Sequence, residues 1–413
     1  MKSKQRFFKE TIKDVPLRGE TVLVRVDYNI PLNQKGEISD DLRIRGSLPT
    51  IKYLLERGCK VVLISHLGRP DGKEAKYSLE QVGVRLSELL HQSVTFIGDT
   101  IGDEVYQTVR KAPKKSVLLL ENLRFYSEEE ADSAAFAKAI IRSTRATYFV
   151  QDGFGVVHRA HASTHAIAME IPSVAGLLLE REYQTITAAM KAPTRPLVAV
   201  MGGAKVSDKI GVIEHFVSVA DTILIGGAMA NTFLAYKGYG VGMSKIESDQ
   251  TEVLDRLYAA AAKKVGQENV DSFIVLPTDV AVANEINAQA KRVVRSVADI
   301  KFDDIALDVG DESIERYTAI VANAKTVIWN GTLGYAELPE FAHGSARLAL
   351  TLATTQPKIT SIIGGGDTAD FALKWDGSDG KSFSHVSTGG GASLDLMAGK
   401  KLPGIESLLD ARP

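Results

Sequence analysis

The chain has 413 residues, 45% hydrophobic and 24% charged, with 49 Lys plus Arg against 51 Asp plus Glu and a formal net charge of −2. At about 150 residues per domain this composition implies two or three globular domains, excludes disorder, collagen and coiled coil, and offers no global field to recruit nucleic acid or an anionic membrane. The single Cys59 excludes an intrachain disulfide or a multi-thiolate metal site; with no apolar run of roughly 18 residues and a polar start, MKSKQRFFKETIKD, the expectation is a cytoplasmic protein.

Short β-rich apolar runs alternate with stretches of helical period, the pattern of βαβ units around a parallel sheet. The first strands are expected over 21–26, 60–64, 94–97, 117–120 and 147–150. Helices are expected over 47–57, 79–90 and 132–143, the last Ala-rich with an acidic start that suits the helix dipole. Ligands of open parallel sheets bind beyond the carboxyl ends of the strands, so the residues just after each strand matter most. Asp27 and Asn29 follow the first, His66 and Arg69 the second, Arg124 the fourth, and Asp152, His158, Arg159 and His161 the fifth. Arg43, in the turn before the helix over 47–57, is a candidate to join them. Taken singly, each arginine is more commonly a salt-bridged surface residue. Together at one sheet edge they suit a small polyanion, because guanidinium binds carboxylate and phosphate bidentately.

Further along, Pro172, Gly176, Pro193 and Pro196 bracket a helical stretch, LLLEREYQTITAAMK, read as a link between domains. The expected division is an amino-terminal domain over 1–176, a connecting helix and hinge over 177–195, and a second domain over 196–401. Strands then recur over 197–201, 222–225, 273–276, 305–308, 326–329 and 361–363. The fold class expected is α/β, with two doubly wound parallel-sheet, Rossmann-like domains joined by a connecting helix.

Glycine dominates the strand ends of this half: Gly202 and Gly203 before Lys205 and Lys209, then Gly226 and Gly227, Asn330 and Gly331, and Gly364, Gly365 and Gly366 before Asp367. Glycine lets backbone amides approach phosphate oxygens, and a following helix adds its positive end, so this half suits a nucleotide. A Walker A pattern is absent. Gly364, Gly366 and Ala369 fit the dinucleotide fingerprint, but no strand ending in Asp or Glu follows about 20 residues on. Gly389, Gly390 and Gly391, after Ser387 and Thr388, form a second anion cradle.

The segments RVDYNIP, SHLGRPDG, ENLRF, HRAHAS, GGAKVSDKI, IGGAMANTFL, WNGTLG, IGGGDTA and HVSTGGGAS stand in an order and spacing that resembles the phosphoglycerate kinases, over about 14–408. The resemblance implies a monomeric, two-domain glycolytic kinase that moves a phosphoryl group between 1,3-bisphosphoglycerate and ADP with Mg²⁺, giving 3-phosphoglycerate and ATP. It implies glycerate on the first domain, nucleotide on the second, and a return of 402–413 to the first. Residue by residue, it implies Asp27, Asn29, Arg43, His66, Arg69, Arg124 and Arg159 as glycerate ligands. It implies Gly203, Lys205, Lys209, Gly227, Asn330, Glu337, Gly365, Gly366, Asp367 and Thr368 at the nucleotide, with Glu337 on the ribose and Asp367 on the metal. Arg43, Lys205, Lys209 and the amides of Gly365, Gly366, Gly389 and Gly390 then surround the moving group. An ionised carboxylate needs no general base, so His66 is expected to be a ligand and not a proton shuttle.

The chain departs from the family pattern at Gln151, Asp311, Thr332 and Ala336, the last leaving Glu337 the least secured of the set. A nicotinamide-dependent dehydrogenase is the rival enzyme class, but it calls for a glycine-rich first turn where Asp27, Tyr28 and Asn29 stand. A non-catalytic nucleotide-binding protein would tolerate loss of Arg43, Lys209 or Asp367, and all three are present.

Overall fold

Runs such as TVLVR, KVVLI and VLLL carry three or more consecutive apolar residues, so both faces need cover, which helices in βαβ units provide. The computed structural model, which describes residues 6–33 and 35–412, builds six of the strands into one parallel sheet. These are β1 (Thr21–Arg25), β2 (Lys60–Ile64), β3 (Val94–Ile97), β4 (Val117–Leu120), β5 (Tyr148–Gln151) and β6 (Ser173–Ala175), in the order β3-β4-β2-β1-β5-β6. β1 is central, pairing Thr21 with Lys60 on one side and Val22 with Tyr148 on the other. Alternate residues serve opposite cores: Val22, Val24, Val61 and Leu63 join one cluster, Leu23, Val62 and Ile64 the other. All six strands run the same way, so their carboxyl ends share an edge.

The helix expected over 47–57 is Leu42–Glu56, which puts Arg43 inside its first turn and not in a turn before it. That start has no acidic first turn and no side-chain cap hydrogen bond; its sequence signal is Asp41 at the N-cap position, with Asp40 Oδ1 accepting from Leu42 N at 2.9 Å. The helix expected over 132–143 is Ala134–Thr144, capped by Ser133 Oγ accepting from Phe136 N. Asp132 lies outside it and serves His165 Nδ1 at 2.7 Å instead of the helix dipole.

A second parallel sheet comprises β7 (Leu197–Met201), β8 (Thr222–Ile225), β9 (Ile274–Val275), β13 (Thr326–Asn330), β14 (Thr360–Gly364) and β15 (His385–Val386), ordered β15-β14-β13-β7-β8-β9. Its core gathers Val198, Val200, Leu224, Val327, Trp329 and Ile363 with Leu348 and Leu352 of the His343–Thr354 helix. Trp329 is fully buried and donates Nε1–H to Gly331 O at 2.8 Å, so its apolar burial, on the order of 2–3 kcal/mol, leaves no polar atom stranded. The run expected over 305–308 does not join this sheet. As β12 (Ile305–Val309) it sits in a separate antiparallel sheet with β10 (Asp279–Ala283) and β11 (Val293–Ser296), ordered β11-β10-β12.

The described chain divides into two compact units. One runs through Gln184 and resumes at Lys401; the other is Thr185–Lys400, so the Leu177–Lys191 helix contains the boundary. The final segment is clamped to the first unit by Lys9, whose Nζ donates to Glu406 O at 2.8 Å, Leu408 O at 2.9 Å and Asp410 Oδ1 at 2.7 Å. Among the described residues no helix is long and apolar enough to cross a membrane.

Candidate active site

At the carboxyl edge of the first sheet, three loops are tied together by the groups expected to bind an anion. Arg43 Nη1 lies 3.1 Å from Asp27 Oδ2 and donates to Asn29 O at 2.8 Å, joining its helix to the loop after β1. Asn29 Oδ1 accepts from Gly68 N at 2.8 Å, while Gly68 O accepts from Arg124 Nη1 at 2.6 Å, so one residue of the loop after β2 bridges those after β1 and β4. Gly68 must be glycine: its φ is +64°, and a Cβ there would fall 2.4 Å from the Tyr77 ring.

Arg69 and Arg159 add their positive charge to that of Arg124, whose guanidinium is partly compensated by Glu130 at 2.9 Å. Thr164 secures the loop of Arg159 by donating to its carbonyl at 2.7 Å and accepting from His161 N at 3.0 Å. His66 is buried, and that burial, followed by the charges of Arg25, Arg124 and Arg43, holds its pKa well below the ordinary histidine range. Burial likewise lowers His161 to about 4. Both rings are neutral at pH 7, and the positive charge of the site is arginine charge.

Asp152, although it follows β5, turns away from this set. Its Oδ1 accepts from Thr50 Oγ1 at 2.9 Å and from Leu178 N at 3.0 Å, at the start of the Leu177–Lys191 helix, and burial raises its pKa to about 7. Three groups that strand-end inspection passed over stand behind the cluster: Arg25, Glu129 and Ser163, all buried. The available signal was Arg25 itself, a charged residue inside the apolar run TVLVRV.

The carboxyl edge of the second sheet is built from glycine. Lys209 Nζ donates to Gly202 O at 2.7 Å and Asn330 O at 3.2 Å, linking the ends of β7 and β13. Burial lowers its pKa to about 8, against the raising effect of Asp367 and Asp208. Gly203 (φ +93°) and Gly227 (φ +64°) lie so close that a Cβ on Gly227 would meet Gly203 N at 2.6 Å. Thr368 Oγ1 accepts from Gly331 N at 2.7 Å. Asn330 is buried, yet among the described residues its side-chain oxygen and nitrogen have no hydrogen-bond partner, polar capacity that a ligand can satisfy.

The Gly366–Asp376 helix opens at this edge after Gly365 (φ +92°), with Asp367 in its first turn. Close by in sequence, Gly389 N donates to Ser387 Oγ at 3.1 Å, and the Gly391–Met397 helix follows Gly390 (φ +44°). Lys205 and Glu337 are less embedded. Both are exposed, Lys205 in the loop after β7 and Glu337 in the loop after β13, and among the described residues neither hydrogen-bonds the other expected ligands.

The family model described as "Phosphoglycerate kinase" matches residues 12–400. A phosphoglycerate kinase of Dictyoglomus turgidum is 45% identical over 399 residues, covering 97% of this chain and 98% of its own, and one of Chloroflexus aurantiacus is 46% identical over 407, covering 98% and 99%. A tobacco protein named "Phosphoglycerate kinase, cytosolic" is 44% identical over 403 residues, covering 97% and 98%. Among solved structures, the phosphoglycerate kinase of Coxiella burnetii superposes with a TM-score of 0.82 at 34% identity, covering 97% of this chain and 98% of that one.

Proposed function

The chain belongs to the phosphoglycerate kinase family, and from that premise we propose the residue roles by which it moves a phosphoryl group between 1,3-bisphosphoglycerate and ADP. The observation that carries the assignment is the arginine-rich edge of the first sheet, where Gly68 joins the loops of Asn29 and Arg124 and Arg43 joins Asp27. Asp27, Asn29, Arg43, His66, Arg69, Arg124 and Arg159 hold 3-phosphoglycerate or its bisphosphate. The nucleotide takes Gly203, Lys205, Lys209, Gly227, Asn330, Gly365, Gly366, Asp367 and Thr368, with Glu337 on the ribose hydroxyls.

A carboxylate is already ionised at pH 7, and so are the phosphates of ADP, so the reaction needs alignment and positive charge more than proton transfer. Arg43, Lys205 and Lys209 supply the charge, and the amides of Gly365, Gly366, Gly389 and Gly390 supply fixed dipoles. A neutral His66 fits this scheme as a hydrogen-bond donor.

Among the described residues no group of three or more His, Cys, Asp or Glu can hold a metal ion. That suits Mg²⁺, which keeps near-octahedral oxygen coordination with one or two carboxylates and substrate phosphates. Asp367 would hold it on the nucleotide, where the cation neutralises phosphate charge. The reading includes a monomer working in the cytoplasm, with no nucleic-acid or membrane partner.

A coupled assay with 3-phosphoglycerate, MgATP and an NADH-linked readout tests the whole assignment. NADH oxidation should require both substrates. Its absence with active coupling enzymes would sink the proposal.

A further inference from the structure

Behind the proposed glycerate ligands, Glu129, Ser163, Arg25 and His66 form one chain of hydrogen bonds, all buried. Arg25 Nε lies 2.8 Å from Ser163 Oγ, and Ser163 Oγ lies 2.6 Å from Glu129 Oε1. Glu129 Oε2 also accepts from Ser163 N at 3.0 Å. At the other end Arg25 Nη2 lies 3.1 Å from His66 Nδ1, while Arg25 Nη1 donates to Val26 O.

The guanidinium fixes the direction of this chain. It has donors only, so Ser163 Oγ accepts from Arg25 and keeps its own proton to give to Glu129, where burial raises the carboxyl pKa while Arg25 and the bonds from Ser163 oppose that rise. By the same rule His66 Nδ1 accepts from Arg25, which leaves the ring proton on Nε2. Protonating Nδ1 as well would set two N–H groups against each other and add a third cation beside Arg25 and Arg124, whose charges already act on the ring.

We propose that Glu129 and Ser163 are positioning residues that, through Arg25, lock His66 as the neutral Nε2–H tautomer, so that His66 meets the substrate's anionic oxygen as a directed, uncharged donor. This rests on the reading of His66 as a glycerate ligand. It goes beyond that reading by assigning the proton to one nitrogen and the control of it to a carboxylate that does not itself touch substrate. Neutral donation costs no deprotonation when the ligand leaves, and it gives a single direction, where an ammonium or imidazolium would attract any anion nearby.

The test is a long-range ¹H–¹⁵N correlation spectrum of the full chain labelled at histidine, taken without ligand from pH 5.5 to 8, with His66→Gln to assign the signal. The expected result is one His66 species, protonated at Nε2 and not titrating. A His66 protonated at Nδ1, or titrating with an ordinary histidine pKa, overturns the proposal whether or not any variant folds. In Ser163→Ala the lock is broken: the spectrum should show both tautomers, and KM for 3-phosphoglycerate should rise about 10-fold, the weight of a misdirected bond to a charged group, with KM for MgATP unchanged. A Ser163→Ala spectrum and KM identical to wild type would also overturn it. The spectra need no turnover, so a protein inactive in the coupled assay but with the predicted tautomer would refute the substrate reading and leave the tautomer standing.

Discussion

Arg43 lies at the second position of its helix with its guanidinium braced by Asp27 and Asn29 O, so its geometry is set before any ligand arrives. If its charge serves the phosphoryl group in flight more than bound glycerate, Arg43→Ala lowers kcat by roughly 10³-fold, as loss of an arginine finger does, with a smaller change in KM for 3-phosphoglycerate. An unchanged kcat with a raised KM assigns it to ground-state binding. Lys209 leads to a pH dependence. Burial places its pKa at about 8, so the ammonium is present below that pH and lost above it. Since kcat/KM reports the free enzyme, kcat/KM for MgATP should fall as pH rises through about 8, and Lys209→Arg, charged throughout, should abolish that limb even at reduced activity. A wild-type profile flat from pH 7 to 9 would count against a role for this charge. The proposed ligands could be picked out in the sequence because a strand end followed by Arg, His or a glycine pair is a local pattern. Arg25, Glu129 and Ser163 were not, since 138 positions separate Arg25 from Ser163 and only the packed sheet brings them together.

Among the elements, the Gly366–Asp376 helix carries the most of the proposed nucleotide ligands: its first turn holds Asp367, and Thr368 ties it to Gly331 after β13. An oxygen-seeking cation loses a charged ligand in Asp367→Asn, so the variant should need more Mg²⁺ for half-maximal activity at fixed total ATP. Superimposable Mg²⁺ titrations would remove Asp367 from the metal. The two parallel sheets were readable because most of their strands hold short β-rich apolar runs, such as VLV, VVLI, VLLL and LVAVM. The antiparallel sheet was not. β11 (VVRS) is largely exposed and β10 (DVAVA) is built of small residues, so neither has the bulk or alternation that marks a strand, and β12 alone was assigned to the wrong sheet. β6 and β15, of three and two residues, fall below any periodicity.

For the whole molecule, the proposed glycerate ligands belong to the unit that ends at Gln184 and the proposed nucleotide ligands to Thr185–Lys400. Transfer requires reacting atoms within about 3–3.5 Å, so on the proposed ligand assignment we expect substrate binding to close the units, with 171–176 and 192–196 as the proposed hinge. Small-angle scattering should therefore give a smaller radius of gyration with both substrates than with either alone or with none. The same radius in all four samples would remove the hinge from the mechanism.

The clamp of Lys9 on the last residues also imposes an order on biosynthesis. Thr185–Lys400 is one continuous stretch and has all its sequence once it has been made, whereas the first unit is begun first and finished last. At about 5–20 residues per second a ribosome spends tens of seconds between residue 184 and the closing segment. Until that segment arrives, Ser173 O on the edge strand β6 lacks Leu409 N, and Lys9 lacks the carbonyls of Glu406 and Leu408. An unfinished sheet edge is a template for other chains, so the nascent protein is most exposed to mispairing in its oldest half, and a chain stopped before Leu409 leaves the half translated first without this closure.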